Sequence, residues 1–365
     1  ADPVLLEEAE RLVAELLATP AKEREHLVLQ DRRFHRLDLL DLILEMGEAA
    51  QARDLPKTTN LAALAVWVGS LVKPDAKGLR PRLLRAFCLD ATSRRLAGKL
   101  PAADDALDNA SWFLTGEPED LGVYCRTLAL LRWEQGRLHD AAALLRHGAQ
   151  AYGEIKSRKE QGVCLILLGL VYLEAGSLER APGPLFRGLV SLKGEPASRL
   201  SAQGSLSLAL CLAMGGKEEE ARVTRERAWQ FYVLPEPFEQ AEVSWLDGRV
   251  AACLGEAEDA VRRLDLARVQ LLAARRVTDA ALATLDLAAV YAETGRGTRI
   301  GALVKDLEIS GAGLPESKVA AQTLRDFAKA SPAREAARGK AALLAEYLRR
   351  TCRVQFPGRQ TLPWV

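Results

Sequence analysis

The side chains able to do chemistry are few and scattered. There are four histidines, His26, His35, His139 and His147. A zinc hydrolase of the His-Glu-x-x-His type needs two imidazoles one helical turn apart with a carboxylate between them, so that one helix face offers both ligands and the base. No such spacing occurs, and His139 and His147 have no Cys or carboxylate at ligand spacing. Six cysteines stand at 88, 125, 164, 211, 253 and 352, no two closer than 37 residues, which excludes a Cys-x-x-Cys metal or redox pair. Gly215-Gly216-Lys217 is the tail of a phosphate-loop pattern, but Cys211 holds the place of its first glycine and Glu218 that of its Ser or Thr. Glu218, Glu219 and Glu220 are better read as a helix start, where acidic groups favour the positive end of the helix dipole. No catalytic, cofactor-binding or metal-binding residue emerges, and the expectation is a protein that is not an enzyme and carries no cofactor.

Binding chemistry is next. Lys77, Arg80, Arg82, Arg85, Arg94, Arg95 and Lys99 form a basic cluster, but a nucleic-acid surface would interleave stacking aromatics or a groove-entering helix. Over the whole chain 50 basic residues face 49 acidic ones, so no nucleic-acid or acidic-membrane partner is expected. The longest apolar stretches, such as Val163 to Tyr172, are too short to span a bilayer, and no signal peptide opens the chain. Five of the cysteines fall among Leu and Ala, where a thiol acts as a small apolar filler. Reduced cysteines and a cytoplasmic location are the resulting expectation.

The elements that must position any site are set by a period. Gly98, Gly136, Gly176, Gly216, Gly255 and Gly295 follow one another at 38, 40, 40, 39 and 40 residues. Seven residues before each stands a small residue (Ala91, Ala129, Gly169, Ala209, Gly248, Ala288). Five after comes Ala103, Ala141, Ala181, Ala221, Ala260 or, in the last copy, Ile300. The glycine ends one helix in the left-handed region, and the small residues let the two helices of a hairpin approach closely. The reading is all-α: a right-handed α-solenoid of antiparallel helix hairpins. A composition 48% hydrophobic but only 5% aromatic predicts a core of Leu, Ala and Val.

These copies resemble tetratricopeptide repeats, whose pattern is W-x2-L-G-x2-Y followed by A-x3-F. The third copy carries it best, with Leu165, Leu168, Gly169, Tyr172, Gly176, Ala181 and Leu185 in phase. The fourth departs at Arg225, where a large apolar residue belongs. The likeness is to the long, 40-residue variety found in bacterial regulatory and scaffold proteins. It implies that the first helix of each hairpin lines a concave face. Carried over, the positions give Arg85 and Arg95; then Arg126 and Leu130; Ile166 and Leu170; Gln203, Leu206 and Leu210; Glu242, Trp245 and Arg249. The groove is thus expected to be basic at its start and apolar through its middle. The lysine-and-asparagine clamp that some family members use for a peptide carboxylate is missing.

The expected organisation is N-terminal capping helices with a degenerate hairpin over 1–80, six repeats over 81–305, closing helices over 306–352 and an extended tail over 353–365. The degenerate hairpin reads as Leu37 to Ala52 and Leu61 to Val72, with Asp54-Leu55-Pro56 as the break. Function is expected to be protein interaction, a scaffold or adaptor whose groove holds a peptide or an apolar or amphipathic helix, from a partner or from this chain's own C-terminal segment. The alternative is a sensing or regulatory region excised from a larger bacterial regulator, with a DNA-binding, anti-sigma or protease-like module elsewhere. The start at Ala1 rather than methionine suits that alternative.

Overall fold

A computed structural model describes residues 3–51, 54–195, 198–230, 237–274 and 277–310, with Gln322. Every regular element among them is helical, and successive helices pair as antiparallel hairpins, an all-α solenoid. The closing helices, Cys352 and the tail read from the sequence lie outside the described residues. The chain divides into two compact units, with the division between Cys164 and Leu165.

The first unit contains α1 (Pro3–Ala18), α2 (Ala21–Gln30), α3 (Leu37–Ala50), α4 (Leu55–Leu71), α5 (Leu79–Leu96), α6 (Leu100–Ser111), α7 (Pro118–Glu134), α8 (Leu138–Glu154) and the start of α9 (Arg158–Glu174). A 3-10 turn, Arg32–Phe34, buries Phe34 completely among Leu39, Leu40, Ile43 and Leu64. The expected break at Asp54-Leu55-Pro56 is instead the start of α4, six residues earlier than the apolar pattern suggests. The reason is local: the Asp54 carboxylate accepts from the Lys57 N–H at 2.9 Å, and Pro56 sits in the first turn, where a missing N–H costs nothing.

The second unit continues with the rest of α9, then α10 (Pro182–Ser191), α11 (Arg199–Met214), α12 (Glu218–Gln230), α13 (Pro237–Cys253), α14 (Ala257–Ala273), α15 (Val277–Glu293) and α16 (Gly297–Ser310). Its core is Leu and Ala: Leu264, Leu285, Leu287 and Ala288 pack with Ile300 and Leu303, so the odd Ile300 of the sixth copy fills a core position.

All six periodic glycines adopt φ between 72° and 75°. Each closes its helix with the same bond, the N–H that follows the glycine reaching back to a carbonyl five residues earlier, as Arg137 to Arg132 at 2.8 Å and Lys217 to Leu212 at 2.9 Å. A second series, unread in the sequence, joins one hairpin to the next: Gly78, Gly116, Lys156 and Gly194, at intervals of 38, 40 and 38 residues, all with positive φ. Lys156 (φ 57°) holds a place that glycine holds in the other three.

The small residues before the turn do bring helices together. A methyl group added at Gly169 would meet the Leu185 side chain at 2.4 Å, and one at Gly248 the Leu264 side chain at 2.8 Å; outside that series, one at Gly122 would enter the Tyr152 ring at 2.6 Å.

Candidate functional site

In the first unit the groove positions are three arginines and Leu130, and each arginine is already engaged. Arg85 on α5 holds Glu48 of α3 at 2.9 Å, thirty-seven residues back. Next to it Arg82 grips Asp41 with two bonds of 2.7 and 2.8 Å. Arg95, only 3% exposed, pairs with Glu134 of α7, thirty-nine residues on. Arg126 on α7 pairs with Glu160 of α9, thirty-four on. Burial works against the Arg126 cation, but Tyr152 and Glu160 outweigh it and its pKa is raised. These pairs tie successive first helices, each reaching across about one repeat. The expected basic start of the groove is therefore neutralised pair by pair, because every guanidinium there meets a carboxylate that the stacking brings beside it. Leu130 is buried in α7.

The second unit separates its groove positions into two kinds. Ile166 is fully buried and lies against Gly204 of α11. Leu206 packs with Ala228 of α12 and Val243 of α13, and Leu210 with Val250 of α13 and Leu254 just beyond its end. These three hold helices to one another. Leu170, Trp245 and Arg249 are only partly buried. Trp245 and Arg249, one turn apart on α13, converge on one carboxylate: the indole N–H donates to Asp286 of α15 at 2.7 Å, and the Arg249 Nε stands 3.7 Å from it. On α11, Arg199 pairs with Glu242 of α13. One turn further, Gln203 is 2% exposed, and neither its amide nitrogen nor its oxygen has a hydrogen-bond partner among the described residues.

The departure at Arg225 also has a structural answer. Its guanidinium lies among Asp247 of α13, Glu256 at 2.5 Å, and Asp259 of α14. Asp247 is wholly buried and takes Arg263 as well, at 2.5 Å. Burial pushes the Asp247 carboxyl above its ordinary value despite the two arginines. The network replaces an apolar contact with a polar one that links three helices.

Cys88, Cys125, Cys164 and Cys211 are buried free thiols. Burial pushes Cys88 and Cys164 up to about 12, and Cys125 and Cys211 to about 11, so they stay neutral and unreactive. Cys253 does not follow the filler reading: at the end of α13 it is exposed. Among the described residues no group of three or more His, Cys, Asp or Glu side chains could hold a metal ion, and no helix is long and apolar enough to cross a membrane.

Of the acidic partners, Glu48, Glu134, Glu160 and Asp286 were passed over in the sequence, whereas Glu242 was read as a groove position and not as an ion-pair partner. Their signal was present: a carboxylate one repeat, 34 to 43 residues, from a groove-side Arg or Trp.

No protein-family model and no curated protein sequence matches the chain. Among solved structures, it is similar to a crystal structure of a Rap protein complexed with competence and sporulation factor, at 15% identity and a TM-score of 0.66, covering 86% of this chain and 88% of that one. It also matches the Rap conjugation gene regulator of the plasmid pLS20 in complex with the Phr* peptide, at 13% identity and a TM-score of 0.44, over 87% of this chain and 97% of that one. At such identities the first likeness is one of fold.

Proposed function

We propose that this chain is a non-enzymatic scaffold or adaptor of the tetratricopeptide-repeat kind, cytoplasmic and bacterial, that takes a peptide on the inward face of its first helices. The observation that carries this reading is that Leu170, Trp245 and Arg249 stay only partly buried in the second unit while the neighbouring groove positions are covered. Leu170 and Trp245 offer apolar area, while Arg249 and Asp286 offer charge held in place by the indole N–H. A mostly apolar surface with a few fixed polar groups is the composition of a ligand site. The Rap protein that shares the fold was solved with competence and sporulation factor bound, which supports a peptide as the occupant. The occupant comes from a partner or from the chain's own residues 311–365.

A photo-crosslinking amino acid placed at Leu170 or Trp245 in the full-length chain, expressed in cells, tests this. Crosslinks should converge on one recurrent peptide sequence, and Arg249→Ala should reduce them. Products mapping to residues 311–365 of the same molecule would identify its own C-terminal segment as the occupant. Crosslinking no stronger than from Val223, an exposed position on α12, would refute the groove reading.

A further inference from the structure

At the open end of the α7–α8 hairpin, the turn into α7 and the turn out of α8 lie side by side, with Gly122 of α7 against the Tyr152 ring of α8. The first turn exposes the Trp112 indole at 78%, the most exposed large hydrophobic side chain among the described residues. Its backbone is fixed. Arg80 donates to the Trp112 carbonyl at 2.8 Å, and the next residue, Phe113, stacks on Phe87 with ring centroids 5.6 Å apart. Glu117 and Glu119 follow, both exposed. The second turn exposes Ile155 at 43%, together with Lys156, Arg158 and Lys159. Arg158 and Lys159 open α9, at the positive end of the helix dipole, where a cation is disfavoured. Lys156 holds the left-handed backbone that glycine takes in the other three joints. Three cations therefore stand in one turn although the helix dipole or the backbone disfavours each residue that carries one.

These charges are also unanswered. Nearby, Arg126 pairs with Glu160 and Arg132 with Asp104, whereas Glu117, Glu119, Lys156, Arg158 and Lys159 make no ion pair among the described residues. Glu154, the one acid in the basic turn, accepts from the Gln150 amide at 3.3 Å. We propose that this end of the hairpin is a self-association surface, and that its occupant is a second copy of the same chain. A two-fold axis between the turns sets the acidic turn of one copy on the basic turn of the other, and does so twice. The edge is then its own complement in charge. An exposed indole on a rigid base is the kind of side chain that dominates a protein interface, and its ring face also takes a lysine or arginine. In each half of the contact the Trp112 indole of one copy covers Ile155 of the other. An anionic membrane would be served by the basic turn and repelled by Glu117 and Glu119, so the change of sign along the edge favours a second copy.

Sedimentation equilibrium of the full-length protein tests this. Wild type should be a dimer that dissociates more readily as salt rises. Trp112→Ser should raise the dissociation constant about tenfold or more. Two charge-reversed variants, Glu117→Lys with Glu119→Lys and Arg158→Glu with Lys159→Glu, should each be monomeric with wild-type helix content by circular dichroism. Each variant alone sets like charges face to face. Mixing the two should restore the dimer mass, because every contact then pairs opposite signs again. A wild-type protein that stays monomeric across the measured concentrations would overturn the proposal. So would reversed variants that remain dimeric, or reversed monomers that fail to combine when mixed. If a reversed variant loses helix, Trp112→Ser decides, and dimerisation as tight as wild type would overturn the proposal.

Discussion

Replacing Arg225 by leucine restores the residue that the repeat pattern asks for, yet it should destabilise the protein. Asp247 is fully buried and takes Arg225 and Arg263. Removing one partner of a buried pair costs about 3–5 kcal/mol, because the other charge is left without compensation. Arg263 stays at 2.5 Å from Asp247, and Asp259 keeps Arg263 at 2.9 Å and Arg262 at 2.5 Å. The loss should therefore fall at the lower end, about 3 kcal/mol. Arg225→Leu combined with Asp247→Ala removes the stranded charge and should recover about 1–2 kcal/mol of that loss despite the small cavity, a clear departure from additivity. Urea unfolding followed by circular dichroism and tryptophan fluorescence measures both. With the other five tryptophans replaced by phenylalanine, Trp229, whose ring lies 4.8 Å from the Arg263 guanidinium, reports this region, and its transition should precede the loss of helix in the single variant. If Arg225→Leu unfolds within about 0.5 kcal/mol of wild type, or the two substitutions simply add, the network does not carry the coupling assigned to it.

Lys156→Gly should stabilise by about 1 kcal/mol in the same urea assay, because it relieves a left-handed backbone that lysine adopts at a cost. Gly122→Ala should destabilise by about 1–3 kcal/mol, since its methyl group would enter the Tyr152 ring; an unchanged urea midpoint would show that the two helices can part freely. Thiol labelling of the native protein at pH 8 should modify Cys253 rapidly and Cys88, Cys125, Cys164 and Cys211 slowly, as read by mass spectrometry. The same four thiols set an alkaline limit. Their pKa values rise on folding from 9.0 to about 11 or 12, so their contribution is complete below pH 9 and is lost as pH rises toward those values. The urea midpoint should fall between pH 8 and pH 10, and the fall should shrink in Cys164→Ala.

The repeat itself was legible because a turn is a local decision. A single residue at each of Gly98, Gly136, Gly176, Gly216, Gly255 and Gly295 carries the left-handed backbone that ends a helix, and nothing distant is needed to read it. The small residues at Gly169 and Gly248 were legible for a similar reason, since a missing side chain announces a close neighbour. Lys156 was not, because lysine has no preference for the conformation that the chain imposes there. What only the tertiary structure decided is the use of each position on the first helices. Leu170, Leu206 and Leu210 stand at equivalent or neighbouring groove positions and look alike in the sequence. A helix inside a stack is touched on several sides, and helical periodicity alone does not separate the side that meets the next repeat from the side that meets a ligand. The arginines show the same limit from the other direction. Arg85, Arg95 and Arg126 read as a basic surface when counted along the chain, but stacking brings Glu48, Glu134 and Glu160 against them. Charge is a property of the residue, whereas its availability to a partner depends on neighbours one repeat away, and only the folded arrangement chooses those.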